Sequence, residues 1–146
     1  MSAYHITERW EYDKAVERGF APLLDDKIFT IDIRLRVQLQ REIFGHCTIG
    51  RGDIPRANER FFRWVWAHKP HYCEETMRPL PNYSATYCSH ILTRGAHPEM
   101  AHDPRNINIL CAEMHDKWEN GDRKSMRIYD KNQRLIEKLK TEYNTL

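Results

Sequence analysis

Two histidines and an asparagine lie in an order and at a spacing that could bring them into one cleft. His90 falls at the end of a segment that reads as a strand, Asn106 enters a second strand, and His115 follows at the start of a helical pattern. An imidazole near neutral pH can accept a proton from water or bind a divalent cation. Either histidine alone would be interpreted as structural. The ordered set therefore marks this segment as the candidate functional site.

The elements that carry these side chains are indicated by the apolar and turn-forming residues around them. Residues 83–91 are rich in Tyr, Thr and Ser and predict a strand, and residues 107–111 predict a short apolar strand. A helix is expected from about Ala112. The loop between the strands is marked by the structure-breaking residues Gly95, Pro98 and Pro104. This part of the chain should fold as a hairpin followed by a helix.

The segment resembles the motif of HNH nucleases, which are also called His-Me finger nucleases. The first histidine of the motif and the apolar residue after it are matched by His90 and Ile91. The Asn-Leu-x-x-Leu-Cys and Cys-x-x-Cys-His elements are similar to residues 106–111 (Asn-Ile-Asn-Ile-Leu-Cys) and 111–115 (Cys-Ala-Glu-Met-His). Within this class, residues 90–99 resemble phage recombination proteins of the NinG type. The resemblance covers about a third of the chain.

The resemblance implies a fold and a reaction. The fold is α+β, with a ββα-metal (His-Me finger) core embedded in a mainly helical single domain. The reaction is metal-dependent hydrolysis of DNA phosphodiester bonds. In the roles that the family implies, His90 is the general base and one divalent ion, Mg²⁺ or Mn²⁺, is bound at His115 and Asn106. The expected catalytic set is thus His90, Asn106 and His115.

Two cationic side chains flank the expected cleft and are candidates for binding DNA. Arg94 follows the first strand, and Lys117 lies two residues after His115 in the helix. Either could hold the scissile phosphate or a neighbouring one, and either could equally be a solvated surface charge.

The residue before the catalytic histidine departs from the family pattern. Ser89 stands where the class commonly has an Asp or His that binds the metal, and a serine hydroxyl is a poor ligand. Water, phosphate or a loop residue would then complete the coordination. The loop candidates are His97, Glu99, His102 and Asp103. We expect the two histidines among them to lie on the surface.

The cysteines depart from the family pattern as well. Many HNH proteins hold this unit with a zinc ion bound by two Cys-x-x-Cys knuckles. Here the first cysteine of each knuckle is kept, as Cys73 and Cys111, while Thr76 and Met114 replace the second. Because a closed zinc site needs four ligands, we expect no structural zinc. The alternative is that Cys88 supplies a third thiolate.

The length of 146 residues allows one core and is short for two, so we expect a single domain. It divides into a helical N-terminal region (1–70), an HNH-like core (71–121) and a C-terminal amphipathic helix (122–146). The adjacent carboxylates Glu74 and Glu75 are interpreted as a solvated turn.

Two further helices are expected in the N-terminal region. Residues 29–39 alternate strictly between apolar and polar side chains but also carry an i,i+4 apolar ridge, and we interpret them as a helix that ends at Gly45. Asp53 with Pro55 predicts the start of a second helix that runs to Ala67.

Composition sets limits on partners and location. A formal charge of +2 permits binding to DNA without requiring it. Apolar runs fall short of the roughly 20 residues that span a bilayer, and an apolar leader segment is not recognisable, so a cytoplasmic protein is expected. Two alternatives to an enzyme stay open: a nucleic-acid-binding module of the same fold that has lost turnover, and an interaction domain whose histidines are structural.

We predict that the purified protein carries no stoichiometric zinc, because each knuckle has lost one thiolate. The measurement is elemental analysis of the folded protein before and after treatment with a chelator. One zinc ion per chain, removed by the chelator only when the protein unfolds, would contradict the prediction.

Overall fold

The computed structural model describes residues 4–6, 9–17, 23–25, 28–45 and 54–146, and within them the chain is α+β and mainly helical. The helices are α1 (Arg9–Glu17), α2 (Ile33–Phe44), α3 (Ile54–His68), α4 (Ala112–Asn120) and α5 (Tyr129–Tyr143). The strands are β1 (Tyr4–Ile6), β2 (Leu23–Asp25), β3 (Ile28–Asp32), β4 (Cys88–His90) and β5 (Ile107–Ile109). Among the helices described, none is both long and apolar enough to cross a bilayer.

The first sheet is antiparallel, with β3 between β1 and β2. Its central strand runs directly into α2, so the helix expected over residues 29–39 is wrong in its first part. The switch occurs at Asp32, whose carboxylate accepts a hydrogen bond of 2.7 Å from the N–H of Arg34 and so caps the helix. At the other end Gly45 adopts φ 103° and donates its N–H to Arg41, as a helix C-cap glycine is expected to do.

Helix α3 confirms the helix expected to run to Ala67, although Asp53 lies outside the described residues, as does Cys47. Phe61 and Val65 are fully buried and four residues apart, so they present one apolar face. This face packs into the main core, which it shares with the hairpin and α4. The fully buried core residues from those elements include Ile107, Ile109, Leu110 and Trp118.

Strands β4 and β5 form a two-stranded antiparallel hairpin that α4 follows directly. The register pairs Cys88 with Ile109 and His90 with Ile107. Both strands are shorter than expected. A 3-10 turn at Ala85–Tyr87 precedes β4, and β5 stops at Ile109 because Cys111 is already the N-cap of α4. The order of strand, loop, strand and helix is the one indicated by the sequence.

The turn that contains Glu74 and Glu75 is not a solvated turn, and that expectation was wrong. The carboxylate of Glu75 accepts hydrogen bonds from the N–H groups of Arg127 (2.6 Å) and Ile128 (3.0 Å), just before α5. Glu74 donates its N–H to the carbonyl of Ile109 (2.8 Å), and its carboxylate accepts the N–H of the same residue. The turn therefore fastens β5 to the start of α5.

We predict that Glu75→Ala lowers the free energy of unfolding by about 1–3 kcal/mol, because two backbone N–H groups lose a charged acceptor. Chemical denaturation at neutral pH measures the change. The matched control is Glu137→Ala, which removes an exposed carboxylate from α5 and should change stability by less than about 0.5 kcal/mol. Equal effects of the two substitutions would contradict the role given to Glu75.

Candidate active site

A cavity of about 450 Å³ opens beside the hairpin, between the loop that follows β4 and the exposed side of α4. Three of the side chains expected at the site line it: His90, His115 and Arg94. Glu119, which was not among the expected site residues, lines it too. The cavity thus gathers two imidazoles, a guanidinium and a carboxylate.

His90 is held in one orientation at the wall of this cavity. Its Nε2 lies 2.8 Å from the carbonyl oxygen of Ala101, in the loop between the strands. Because a carbonyl oxygen only accepts, Nε2 carries the proton. The ring packs edge-on against Phe62, with centroids 5.8 Å apart, and only 7% of the residue is exposed. In the neutral ring, the unprotonated nitrogen is therefore Nδ1.

The surroundings of His90 keep the ring neutral. Burial lowers its pKa to about 4, and the positive charge of Arg94 works in the same direction, while the bond to Ala101 and the carboxylate of Glu119 oppose the shift. At neutral pH, Nδ1 consequently has a lone pair that can accept a proton.

His115 and Glu119 form a pair on one face of α4. Residues four apart on a helix are neighbours, which brings Nε2 of His115 within 2.9 Å of a Glu119 carboxylate oxygen. The other ring nitrogen, Nδ1, lies 2.6 Å from the carbonyl oxygen of Thr86 in the 3-10 turn before β4 and must carry a proton. The i,i+4 spacing was visible in the sequence and could have identified Glu119.

The two cationic candidates are placed differently. Arg94 lines the cavity, with its guanidinium carbon 5.7 Å from the centre of the Phe62 ring. Lys117 does not line it, because a residue two positions after His115 lies about 200° around the helix. Its Cα, carbonyl oxygen and Cγ lie close to Gly121, at the end of the helix. The expectation that Lys117 flanks the cleft is therefore not supported by its position.

Asn106 is buried behind the cavity and does not line it. Its side-chain oxygen Oδ1 accepts the N–H of Leu92 (2.8 Å), and its side-chain nitrogen Nδ2 donates to the backbone carbonyls of Leu92 (2.9 Å) and Met100 (3.3 Å). All of these partners belong to the loop between β4 and β5. The amide is thus fully occupied in holding the loop, which is a different task from the metal ligation that was expected of it.

The loop residues considered as extra ligands also lie away from the cavity. His102 was expected at the surface but is buried, with Nε2 2.8 Å from Oδ1 of Asn58 on α3, and burial lowers its pKa to about 4. His97 pairs with Glu99 at 3.5 Å on another part of the loop. Ser89 is fully buried and does not face the cavity either.

The retained knuckle cysteines, Cys73 and Cys111, lie beside each other and do not line the cavity. Burial opposes ionisation of Cys73, but hydrogen bonds from the hydroxyl of Thr76 and from the backbone of Cys111, Thr76 and Glu75 outweigh it and lower the pKa of the Cys73 thiol. Burial raises the pKa of Cys111, whose thiol bonds to the sulfur of Cys73. Thr76, which replaces a knuckle cysteine, therefore makes a hydrogen bond to the cysteine that is retained.

Cys88 is a third buried cysteine and lines the cavity, but it is not poised as a nucleophile. Burial raises the pKa of its thiol to about 12. Its Sγ donates to the carbonyl of Phe62 at 3.7 Å. The thiol therefore stays protonated at neutral pH, when the reactive form would be the thiolate.

The donor chemistry of the cavity fits a hydrated divalent ion. Within the described ranges, no three His, Cys, Asp or Glu side chains are gathered as a ready-made metal site. His115 and Glu119 nevertheless bring a nitrogen and a carboxylate oxygen together, and the other nitrogen of His115 is bound to a carbonyl, as is usual for metal-binding histidines. Nε2 and the carboxylate are bonded to each other through a proton, which a metal ion held by both would replace. Mg²⁺ keeps several waters and commonly takes only one or two protein ligands together with phosphate oxygens.

Comparisons of this chain with protein-family models, with curated proteins and with solved structures find no match. The resemblance to HNH nucleases therefore rests on the motif residues, and it is considered below together with the geometry of the cavity.

We predict that part of the acid sensitivity of this protein comes from His90 and His102. Both have a folded-state pKa of about 4, against an ordinary value of 6.5, so protonation favours the unfolded state. The free energy of unfolding should fall as pH is lowered from about 6.5 towards about 4.

The measurement is denaturant unfolding at pH 7 and at about pH 4.5. The double variant His90→Gln with His102→Gln removes both titrating rings but keeps polar side chains. It should lose less stability than the wild type over this interval. An unchanged loss would show that the two rings are not the buried neutral groups described.

Proposed function

We propose that this protein is a metal-dependent endonuclease of the HNH class that hydrolyses DNA phosphodiester bonds. The observation that supports the proposal most strongly is that His90, His115, Glu119 and Arg94 line one open cavity. These are a base, two metal-binding groups and a phosphate-binding cation, which are the components that hydrolysis of a phosphodiester requires.

In this proposal His90 is the general base. The bond from Nε2 to Ala101 fixes the tautomer, so the nitrogen available to accept a proton from the attacking water is Nδ1. The negative charge of a bound phosphodiester would raise the pKa of the ring from its low value in the free protein. The base would therefore be strongest when the substrate is present.

His115 and Glu119 would hold the divalent ion, through Nε2 and a carboxylate oxygen respectively. When bound, such an ion stabilises the charge that develops on the phosphoryl and leaving oxygens. Glu119 supplies the carboxylate that the sequence lacks at Ser89, although it does so from the helix and not from the strand. This assignment replaces Asn106 as a ligand and gives Asn106 a positioning role.

Arg94 would bind the phosphate from the loop side of the cavity. Its planar guanidinium can donate two parallel hydrogen bonds to a phosphate. The flanking Phe62 ring restricts its position. A non-catalytic DNA-binding module would use the same cation, so activity must be tested directly.

We predict that the wild-type protein nicks supercoiled plasmid DNA in Mg²⁺ or Mn²⁺ and that His90→Ala lowers the rate by about 10²–10⁴-fold, the usual contribution of a general base. Glu119→Gln should raise the concentration of metal needed for half-maximal cleavage. Gel analysis of nicked and linear products, with and without EDTA, measures both effects.

The matched control is His97→Ala, which removes a loop histidine outside the cavity and should leave the rate within about twofold of the wild type. Equal cleavage by the wild type and His90→Ala would point to a contaminating nuclease and exclude the proposed base. DNA binding by the wild type without cleavage in any metal would identify a binding module that has lost turnover.

A further inference from the structure

One side of helix α5 carries three cationic side chains in a row. Lys131, Arg134 and Lys138 are three and four residues apart, so their side chains leave the helix on the same side. All three are exposed. These three residues form the cationic stripe. None of them lines the candidate active site or has a part in the proposed reaction.

The buried side of α5 fixes the helix and so holds the stripe in place. Leu139 and Tyr143 are buried in the core. Asn132 is fully buried as well, and its Nδ2 donates a hydrogen bond of 2.7 Å to Oδ1 of Asn108 on β5. The stripe residues are not among the buried ones, so they can be replaced without disturbing this packing.

The charges of the stripe are available to a ligand. Arg134 and Lys138 form no ion pair within the described parts of the chain. Lys131 lies 3.7 Å from Glu74, but 64% of its side chain is exposed, and surface pairs of this kind are weak. Arg127 lies one turn before Lys131 and is left out of the stripe, because its guanidinium donates to the carbonyl of Glu74.

The surroundings of the stripe do not suit a lipid surface. A helix that lies on a membrane needs an exposed apolar side. The apolar side of α5 is packed in the core, and the exposed positions beside the stripe are the polar residues Asp130, Glu137 and Thr141. The two carboxylates lie about 80° further round the helix, so they do not interrupt the row of cations.

The spacing of the stripe suits an extended row of negative charges. Because a helix rises 1.5 Å per residue, the three cations follow one another at about 4.5 and 6 Å along its axis. A strand of duplex DNA carries one phosphate for about every 3.4 Å of its own axis. A small anion would instead need a concave site that encloses it. An exposed row of cations on a helix therefore fits a phosphodiester backbone.

We propose that the cationic stripe of α5 binds the sugar-phosphate backbone of duplex DNA away from the point of cleavage. The identification of the polyanion as DNA rests on the proposed nuclease function. Contacts from lysine and arginine to phosphates position a duplex but carry no sequence information. The stripe would therefore supply affinity, with a strong dependence on salt, and would not select a sequence.

The test is the binding of a short fluorescein-labelled DNA duplex, followed by anisotropy in EDTA over a series of salt concentrations. The stripe variant combines Lys131→Gln, Arg134→Gln and Lys138→Gln. It should weaken binding and lower the slope of log affinity against log salt by about two to three, because each neutralised phosphate contributes about 0.9. Should the stripe variant fail to fold, Arg134→Gln alone should lower the slope by about one.

The matched control removes the same charge from another part of the surface. It replaces three cations that are each paired with a carboxylate one turn away on the same helix, and it combines Arg9→Gln, Lys14→Gln and Arg63→Gln. Both triple variants lower the formal charge of +2 by three. The control should keep the slope within about 0.5 of the wild-type value.

Equal slopes for the wild type and the stripe variant would overturn the proposal, and so would an absence of DNA binding. An equal fall in both triple variants would also overturn it, because it would show an effect of net charge alone. Vesicles of anionic phospholipid provide the last comparison. If the stripe variant loses binding to vesicles but binds DNA as the wild type does, the stripe is a lipid-binding surface and the proposal is wrong.

Because the binding assay contains no divalent metal, its failure is independent of the nicking assay. A protein that nicks DNA with no dependence on the stripe keeps the proposed function and loses this surface. A protein that binds DNA through the stripe but does not nick it in any metal keeps the surface and loses the proposed activity.

Discussion

The side chain of Asn106 bonds to the start and the middle of the loop between β4 and β5, and the geometry of the cavity depends on these contacts. The loop is irregular and mostly buried from Met100 to Pro104, so its backbone groups must find partners inside the protein. Asn106 accepts from and donates to Leu92, and it also donates to Met100. Ala101 follows Met100 in the chain, and its carbonyl is thereby held against the ring of His90.

A buried charge network fixes the other side of the same loop. Asp103 is fully buried and accepts from Tyr143 and Arg105, each at 2.8 Å, while Arg36 lies 3.7 Å away and pairs with Glu11 at 2.7 Å. Burial raises the pKa of Asp103, and Arg36 and Tyr143 oppose that shift. Such pairs add little net stability but are costly to break. Their effect is to fasten the loop to α1, α2 and α5 in one arrangement.

The parts of the site that could be predicted from sequence are those set by local spacing. The hairpin, α4 and the shared cavity of His90 and His115 follow from short-range patterns. Helical spacing also places Glu119 beside His115, although that signal was overlooked. The partners of Asn106 and Asp103 could not be predicted, because they join segments that are distant in sequence and show no periodicity. The alternation in residues 29–39 was ambiguous because it covers a strand that continues directly into a helix.

The two histidines of the cavity differ because different backbone carbonyls hold them. Ala101 binds Nε2 of His90, which makes Nδ1 its basic atom, whereas Thr86 binds Nδ1 of His115, which turns Nε2 towards Glu119. In the proposed function, two identical side chains would thereby serve in the distinct roles of a base and a metal ligand. The division depends on the loop and on the 3-10 turn before β4. Substitutions that shift either carbonyl would therefore alter the chemistry without touching a ring in the cavity.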